Sequence, residues 1–321
     1  MFYKKKIIDG KVNSLFKRIF GLNSLKLKKY RNYKNSPFCM VATMPRSGTW
    51  MAAFFFHAYN AYLNNDTLIN DNIPHFNFYN KINISKYHAH TIFPDFYKIY
   101  FGNFRSRWDD LSFYVSGYNY GYPFLKANRN YFSPIVNSNV RIVYIYRNPL
   151  DQAVSFFRHI RYHKDKKHQY ATINGKTDFL KNEIDFLKKV GLNSYLKQFL
   201  TYYLLKHQYR KNLMMLSYED ILKYPERAFK DILLFFCHKI DTDKKKKSFN
   251  DAIKFISMDN LKSFEKNLGH SFGDDQQSTN ESHMRGGKIG KWKNFFDQNI
   301  IDYTEDKLQK FNISLDYFTI E

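Results

Sequence analysis

The chain has 321 residues, enough for one large domain or two modest ones. It carries 51 Lys and Arg against 29 Asp and Glu, a formal net charge of +22, and 44% of its residues are hydrophobic. A core of useful size can form, which excludes a wholly disordered chain and a small disulfide-stapled scaffold. The two cysteines, Cys39 and Cys237, are too few for a disulfide framework or a cysteine-rich zinc site. Apolar runs such as Phe38–Met44 fall far short of a membrane span, and the first residues, MFYKKKIIDGK, lack the compact apolar stretch of a signal peptide. A reducing, cytoplasmic setting is therefore the expectation. The basic charge has two readings. It suits phosphates, sulfates, anionic membranes or nucleic acid, and it also follows from a composition rich in Lys, Asn, Tyr and Phe.

No internal repeat is visible, and residues 1–35 read as a basic N-terminal arm or helix. Leu15, Phe16, Ile19 and Phe20 recur at helical spacing there, which fits a surface helix better than a peripheral membrane helix because the apolar face is short. Residues 36–321 are expected to form the main domain. Pro37–Met44 reads as a buried strand that runs through Pro45-Arg46-Ser47-Gly48-Thr49-Trp50 into an apolar helix ending near Tyr62. Residues 63–138 are aromatic and Asn-rich, without a clean period. A second strand, Arg141–Tyr146, ends at Arg147-Asn148-Pro149. There Asn148 suits the N-cap, Pro149 the first helical position, and Asp151 the positive end of the helix dipole. The buried face of that helix would carry Ala153, Phe156, Phe157 and Ile160. A polar loop over 162–177 precedes helical segments over 178–206. A third strand, Leu213–Ser217, leads into Tyr218-Glu219-Asp220 and a helix over 226–238. Residues 267–287 read as a long polar loop. Strands alternating with helices predict an α/β fold, a single domain with a central, mostly parallel sheet flanked by helices.

In open α/β sheets, ligands bind beyond the carboxyl ends of the strands. Three segments deliver polar residues there. In the first, Gly48 permits a tight turn, the helix start offers N–H groups, Arg46 adds charge, and Ser47 and Thr49 add hydroxyls. This is a P-loop-like strand–loop–helix for an anion, but it lacks G-x-x-x-x-G-K-(S/T), so an ordinary nucleotide triphosphatase is disfavoured. Its structural alternative is an ordinary capped helix start. The second segment places Arg147 at a strand end and Ser155 two turns into the helix, a guanidinium fork and a hydroxyl for another anion. The structural alternative for Arg147 is a surface ion pair with Asp151. The third, Arg285 to Phe296, has three glycines among cations, suited to a loop around a phosphate or to a basic turn followed by a packed Trp.

Together these segments resemble the PAPS-dependent sulfotransferases, of cytosolic or bacterial type. That family carries P-(K/R)-S-G-T-T-W, then R-N-P-x-D-x-x-V-S, then R-x-G-x-x-G-x-W-(K/R)-N-x-F. Here they stand as Pro45 to Trp50, Arg147 to Ser155, and Arg285 to Phe296, in the same order, over roughly residues 36–300. Leu216-Ser217-Tyr218-Glu219-Asp220 is similar to the family segment whose tyrosine meets adenine. The resemblance implies that Arg46, Ser47, Gly48 and Thr49 hold a 5′-phosphosulfate, with Trp50 beside them. It implies that Arg147, Ser155, Arg285, Gly286 and Gly287 hold a 3′-phosphate, and that Tyr218 and Ser257 border the adenine. PAPS would be the sulfuryl donor, with no metal required. The chain departs from the pattern in two ways. One Thr, not two, precedes Trp50, and Gly286 stands where many members have Lys.

A third departure concerns the base. Many cytosolic members carry it in a K-T-H segment, whereas the corresponding stretch here reads Phe124-Leu125-Lys126-Ala127-Asn128-Arg129, and Asn128 cannot act as a base. The catalytic residues expected are Arg46, to neutralise the leaving phosphate, and a histidine near neutrality. His90 and His88, two apart in Tyr87-His88-Ala89-His90-Thr91, are the first candidates; His75 and His159 follow, and a Glu or Asp base is an alternative. The acceptor would be a small molecule, lipid or glycan bearing a hydroxyl or amine, with no nucleic acid as partner. Rival readings are a catalytically degenerate PAP-binding protein, a basic nucleic-acid-binding protein, and, more weakly, a kinase with a divergent phosphate loop.

Overall fold

A computed structural model describes residues 38–44, 46–63, 112–116, 140–162, 181–208, 210–268 and 287–319. The N-terminal arm, and with it the boundary proposed near residue 36, lies outside the described residues. Four parallel strands form one sheet in the order β2-β1-β3-β4: β1 Phe38–Thr43, β2 Ser112–Ser116, β3 Val140–Tyr146 and β4 Leu213–Ser217. Val41 of β1 stands beside Val115 of β2 and Val143 of β3, and Ile145 of β3 stands beside Leu216 of β4. The three strands read from sequence are present within a residue or two of their expected bounds. β2 lies inside the aromatic stretch that showed no period. It is five residues long and rests at the sheet edge against β1, so a distant partner rather than a local pattern defines it.

The helices explain the layers. α1, Thr49–Leu63, follows β1; α2, Pro149–Tyr162, follows β3. A helical run then proceeds through α3, Glu183–Phe186, a π-helical turn at Leu187–Gly191, and α4, Leu192–Gln208. The chain steps from β1 to β2 in one direction and from β3 to β4 in the other. Right-handed crossovers therefore place helices on opposite faces, and the reversal leaves a crevice between the ends of β1 and β3. On one face Tyr144 stacks on Tyr202 of α4 at 3.8 Å, and Tyr146 meets Phe199 at 5.4 Å. Tyr317 and Phe318, in the 3₁₀ turn Leu315–Phe318, close over Tyr146.

α1 carries Phe54, Phe55 and Phe56 in succession, all fully buried. Three adjacent positions point to three sides, so this helix must be enclosed rather than amphipathic. α6, Pro225–Phe235, and α7, Asp243–Phe255, supply the enclosure: Phe55 stacks on Phe229 at 4.0 Å and meets Phe249 at 5.7 Å, and Phe54 meets Phe255 at 6.3 Å. α7 carries four lysines directly after Asp243, yet Ser248, Phe249, Ala252 and Phe255 recur at helical spacing and are buried, while the Thr242 hydroxyl accepts from the Lys245 N–H. The rest comprises α5, Tyr218–Lys223, α8, Met258–Leu268, a 3₁₀ turn at Lys291–Asn294, and α9, Gln298–Gln309. Among the described residues no helix is long and apolar enough to cross a membrane.

Candidate active site

The crevice between β1 and β3 is where the sequence motifs meet. After β1 the chain turns sharply: the Ser47 N–H donates to the Met44 carbonyl at 3.1 Å, Arg46 has φ +65 and Gly48 has φ +83. A non-glycine residue in the left-handed region costs about 1–2 kcal/mol, so the fold holds Arg46 in this conformation against its own preference. The turn delivers the first N–H groups of α1, which have no partner within the helix. Thr49 and Trp50 occupy that first turn; their side chains lie outside the described residues. Ser47 is fully buried, and its hydroxyl has no hydrogen-bond partner among the described residues. An orphaned buried hydroxyl at a helix start suits a ligand oxygen.

The second motif closes on the first. Asn148 caps α2 as expected, its side-chain oxygen accepting from the Leu150 N–H at 2.9 Å. Ser155 lies two turns along, and its hydroxyl accepts from Nε of Arg46 at 3.2 Å. Arg147 donates from one terminal nitrogen to the Arg46 carbonyl at 3.1 Å. Arg46 stands between Arg147 and Ser155 and engages both. The alternative ion pair of Arg147 with Asp151 is not what forms. Arg147 is buried, with its Nε 3.8 Å from Glu219. Asp151 instead accepts from the N–H groups of Gly290 at 2.7 Å and Trp292 at 3.1 Å.

The strand β4 contributes Tyr218, first residue of α5. Its ring lies against Gly48 so closely that a Cβ there would stand 2.6 Å from Cε2 of the ring. The Arg147 guanidinium sits 5.1 Å from the ring centre. Gly48 is thus needed twice, for its positive φ and for this contact. Burial pushes the Tyr218 hydroxyl up, with Arg147 and Arg46 pulling the other way.

Glu219, next along, is the functional candidate that sequence reading passed over. Its Oε1 accepts from the Asn148 N–H at 3.1 Å, and its Oε2 has no hydrogen-bond partner among the described residues. Burial raises its carboxyl from an ordinary 4.5 to about 7, although Arg147 and the Asn148 N–H both favour the charged form. Nothing in Tyr-Glu-Asp signals this, because the contacts come from residues some 70 positions away.

The third motif is described from Gly287 onward. Gly287 has φ +56, and its α-carbon faces Leu222 of α5 and Met258 of α8. Ser257, just before Met258, is exposed and caps α8, accepting from the Asn260 N–H at 3.3 Å. Trp292 packs half-buried against the core. Arg285, Gly286, the base candidates His88, His90 and His75, and Asn128 all lie outside the described residues. His159 is buried on α2. Among the described residues no group of three or more His, Cys, Asp or Glu is arranged to hold a metal.

The architecture is that of an α/β protein with a parallel sheet, and comparison with known proteins gives the family. The sulfotransferase domain matches residues 37–311, so the chain belongs to the sulfotransferase domain family. It is 26% identical over 165 residues to cytosolic sulfotransferase 16 of Arabidopsis thaliana, covering 50% of this chain and 47% of that protein. It is 28% identical over 172 residues to flavonol 3-sulfotransferase of Flaveria bidentis, covering 51% of this chain and 52% of that one. These matches span about half the length of the relatives. The fold is like that of mouse sulfotransferase SULT7A1 in its complex with PAP, with TM-score 0.52, 16% identity, and coverage of 86% of this chain and 84% of that one.

Proposed function

We propose that the chain transfers a sulfuryl group from PAPS to a hydroxyl or amine of a small acceptor. The observation that carries this reading is the meeting of Arg46, Ser155, Arg147 and Tyr218 in one crevice, at the ends of three different strands. Membership of the sulfotransferase domain family and the likeness to a PAP-bound fold support it. The residues fit the nucleotide: a buried Ser47 hydroxyl with no partner among the described residues, the Tyr218 ring packed against Gly48, and two arginines in contact.

When bound, PAPS supplies the sulfuryl group and leaves as PAP. Arg46 and Ser47, with the N–H groups of the first turn of α1, would hold the 5′-phosphosulfate and meet the charge that develops on the leaving phosphate. Preformed donors of this kind need no reorganisation as that charge appears. Arg147 and Ser155, with Arg285, Gly286 and Gly287, would hold the 3′-phosphate. Tyr218 and Ser257 would border the adenine. His90, with His88 as second choice, is the proposed base that takes the proton of the acceptor.

Flavonol sulfation, named for one relative, makes phenols the first acceptors to try, with lipids and glycans next. The test is release of PAP from PAPS with a panel of phenols, sterols and sugars, for the wild type and for His90→Ala and Arg46→Ala. Acceptor-dependent release that falls with Arg46→Ala supports the proposal. PAP binding without turnover on any acceptor would leave a binding protein in its place.

A further inference from the structure

Asp151 does something in this crevice that neither helix capping nor a surface ion pair explains. It sits in the first turn of α2, is 2% exposed, and turns both carboxylate oxygens onto one short piece of chain. Oδ2 accepts from the Gly290 N–H at 2.7 Å and Oδ1 from the Trp292 N–H at 3.1 Å, across about 140 residues of sequence. Hydrogen bonds to an ionised acceptor are about twice as strong as neutral ones. Here they fall on a backbone with Gly290 at φ +77, just before the 3₁₀ turn. The same piece of chain is held at its other end, where Gly287 packs on Leu222 and Met258 with no room beyond a Cβ at 3.3 Å. Ser155 stands four residues beyond Asp151 and so on the same side of α2. One helix face therefore grips the loop after β1, through Ser155 and Arg46, and the 287–292 segment, through Asp151.

We propose that Asp151 is a positioning residue: by clasping the Gly290 and Trp292 amides it fixes the 287–292 segment between α2 and α5, the helices that follow Arg147 and Ser217, and so sets the preference of this site for nucleotides that carry a 3′-phosphate. The proposal rests on the nucleotide reading given above and names a residue that would act through its neighbours rather than by touching the ligand. An uncharged amide at position 151 can satisfy one of the two N–H groups, and its own NH₂ opposes the other. The segment then loses its fixed place, and the cost falls on the part of the ligand that the segment holds.

The experiment compares PAP with AMP, which lacks the 3′-phosphate, by titration calorimetry on the wild type and Asp151→Asn. The expected result is a loss of PAP affinity of roughly 10- to 100-fold, with AMP affinity changed less than about threefold, so that the PAP/AMP ratio collapses; by the usual 1.4 kcal/mol per decade this is about 1.4–2.8 kcal/mol. A general loosening of the fold would weaken both ligands alike and leave the ratio unmoved. A folded Asp151→Asn with the wild-type ratio overturns the proposal alone. A wild type that does not distinguish PAP from AMP overturns the nucleotide reading and the proposal with it. Should Asp151→Asn fail to fold, hydrogen exchange on the wild type decides. PAP must slow exchange at the Gly290 and Trp292 amides more than AMP does, and equal protection refutes the clasp.

Discussion

Replacing Gly48 by Ala tests the closest contact in the crevice. Two costs add. An L-residue at φ +83 loses about 1–2 kcal/mol. The new methyl also meets Cε2 and Cδ2 of Tyr218 at 2.6 and 2.7 Å, nearer than carbon atoms approach, and overpacking of this kind costs about 1–3 kcal/mol. Gly48→Ala is therefore expected to lose about 2–5 kcal/mol in urea unfolding, together with PAP affinity, because the ring can give way only by leaving Arg147. A double-mutant cycle separates the terms. In a Tyr218→Ala background the collision is gone, and Gly48→Ala should cost only the backbone share, leaving a coupling of about 1–3 kcal/mol. Wild-type stability in Gly48→Ala, or a cycle with no coupling, would refute this account of the turn.

Two further perturbations probe the carboxylate and the cap. Glu219 holds its proton to about pH 7 when folded, against an ordinary 4.5. Between those values the folded chain keeps a proton that the unfolded chain has released, so stability is highest below about pH 4.5 from this group and declines as pH rises toward 7, by about 3 kcal/mol at most. Glu219→Gln should flatten that slope in thermal melts between pH 5 and 8, and an unchanged slope would show that the carboxyl is not the group responsible. Asn148→Ala removes the acceptor for the Leu150 N–H and should cost about 0.5–2 kcal/mol in urea, as N-caps do; a neutral result would mean that another group caps α2.

What the sequence disclosed follows from which interactions are local. β1, β3 and β4 are apolar runs that end at turn residues, and Asn148-Pro149 announces the start of α2, so these elements were legible within a residue or two. β2 was hidden because Ser112–Ser116 is short and takes its identity from β1, some 70 residues away. α7 and α8 drew no attention because lysines crowd the start of α7, although its buried positions keep helical spacing. In the site, residue types and the family resemblance marked Arg46, Ser155, Arg147 and Tyr218 as candidate anion and ring contacts, while the partner of each stayed hidden. That Arg46 rather than Arg147 reaches Ser155, that Asp151 serves the C-terminal segment, and that Glu219 lies under Arg147 are facts of strand order.

Whether this crevice holds a 3′-phosphorylated adenine nucleotide is tested most directly by titration calorimetry with PAP, on the wild type and on Arg147→Ala at moderate salt. Wild-type binding is expected to be saturable and to weaken by about 2 kcal/mol or more, roughly thirtyfold, when the Arg147 guanidinium is removed from a variant that still folds. A folded wild type that does not bind PAP would contradict the nucleotide reading.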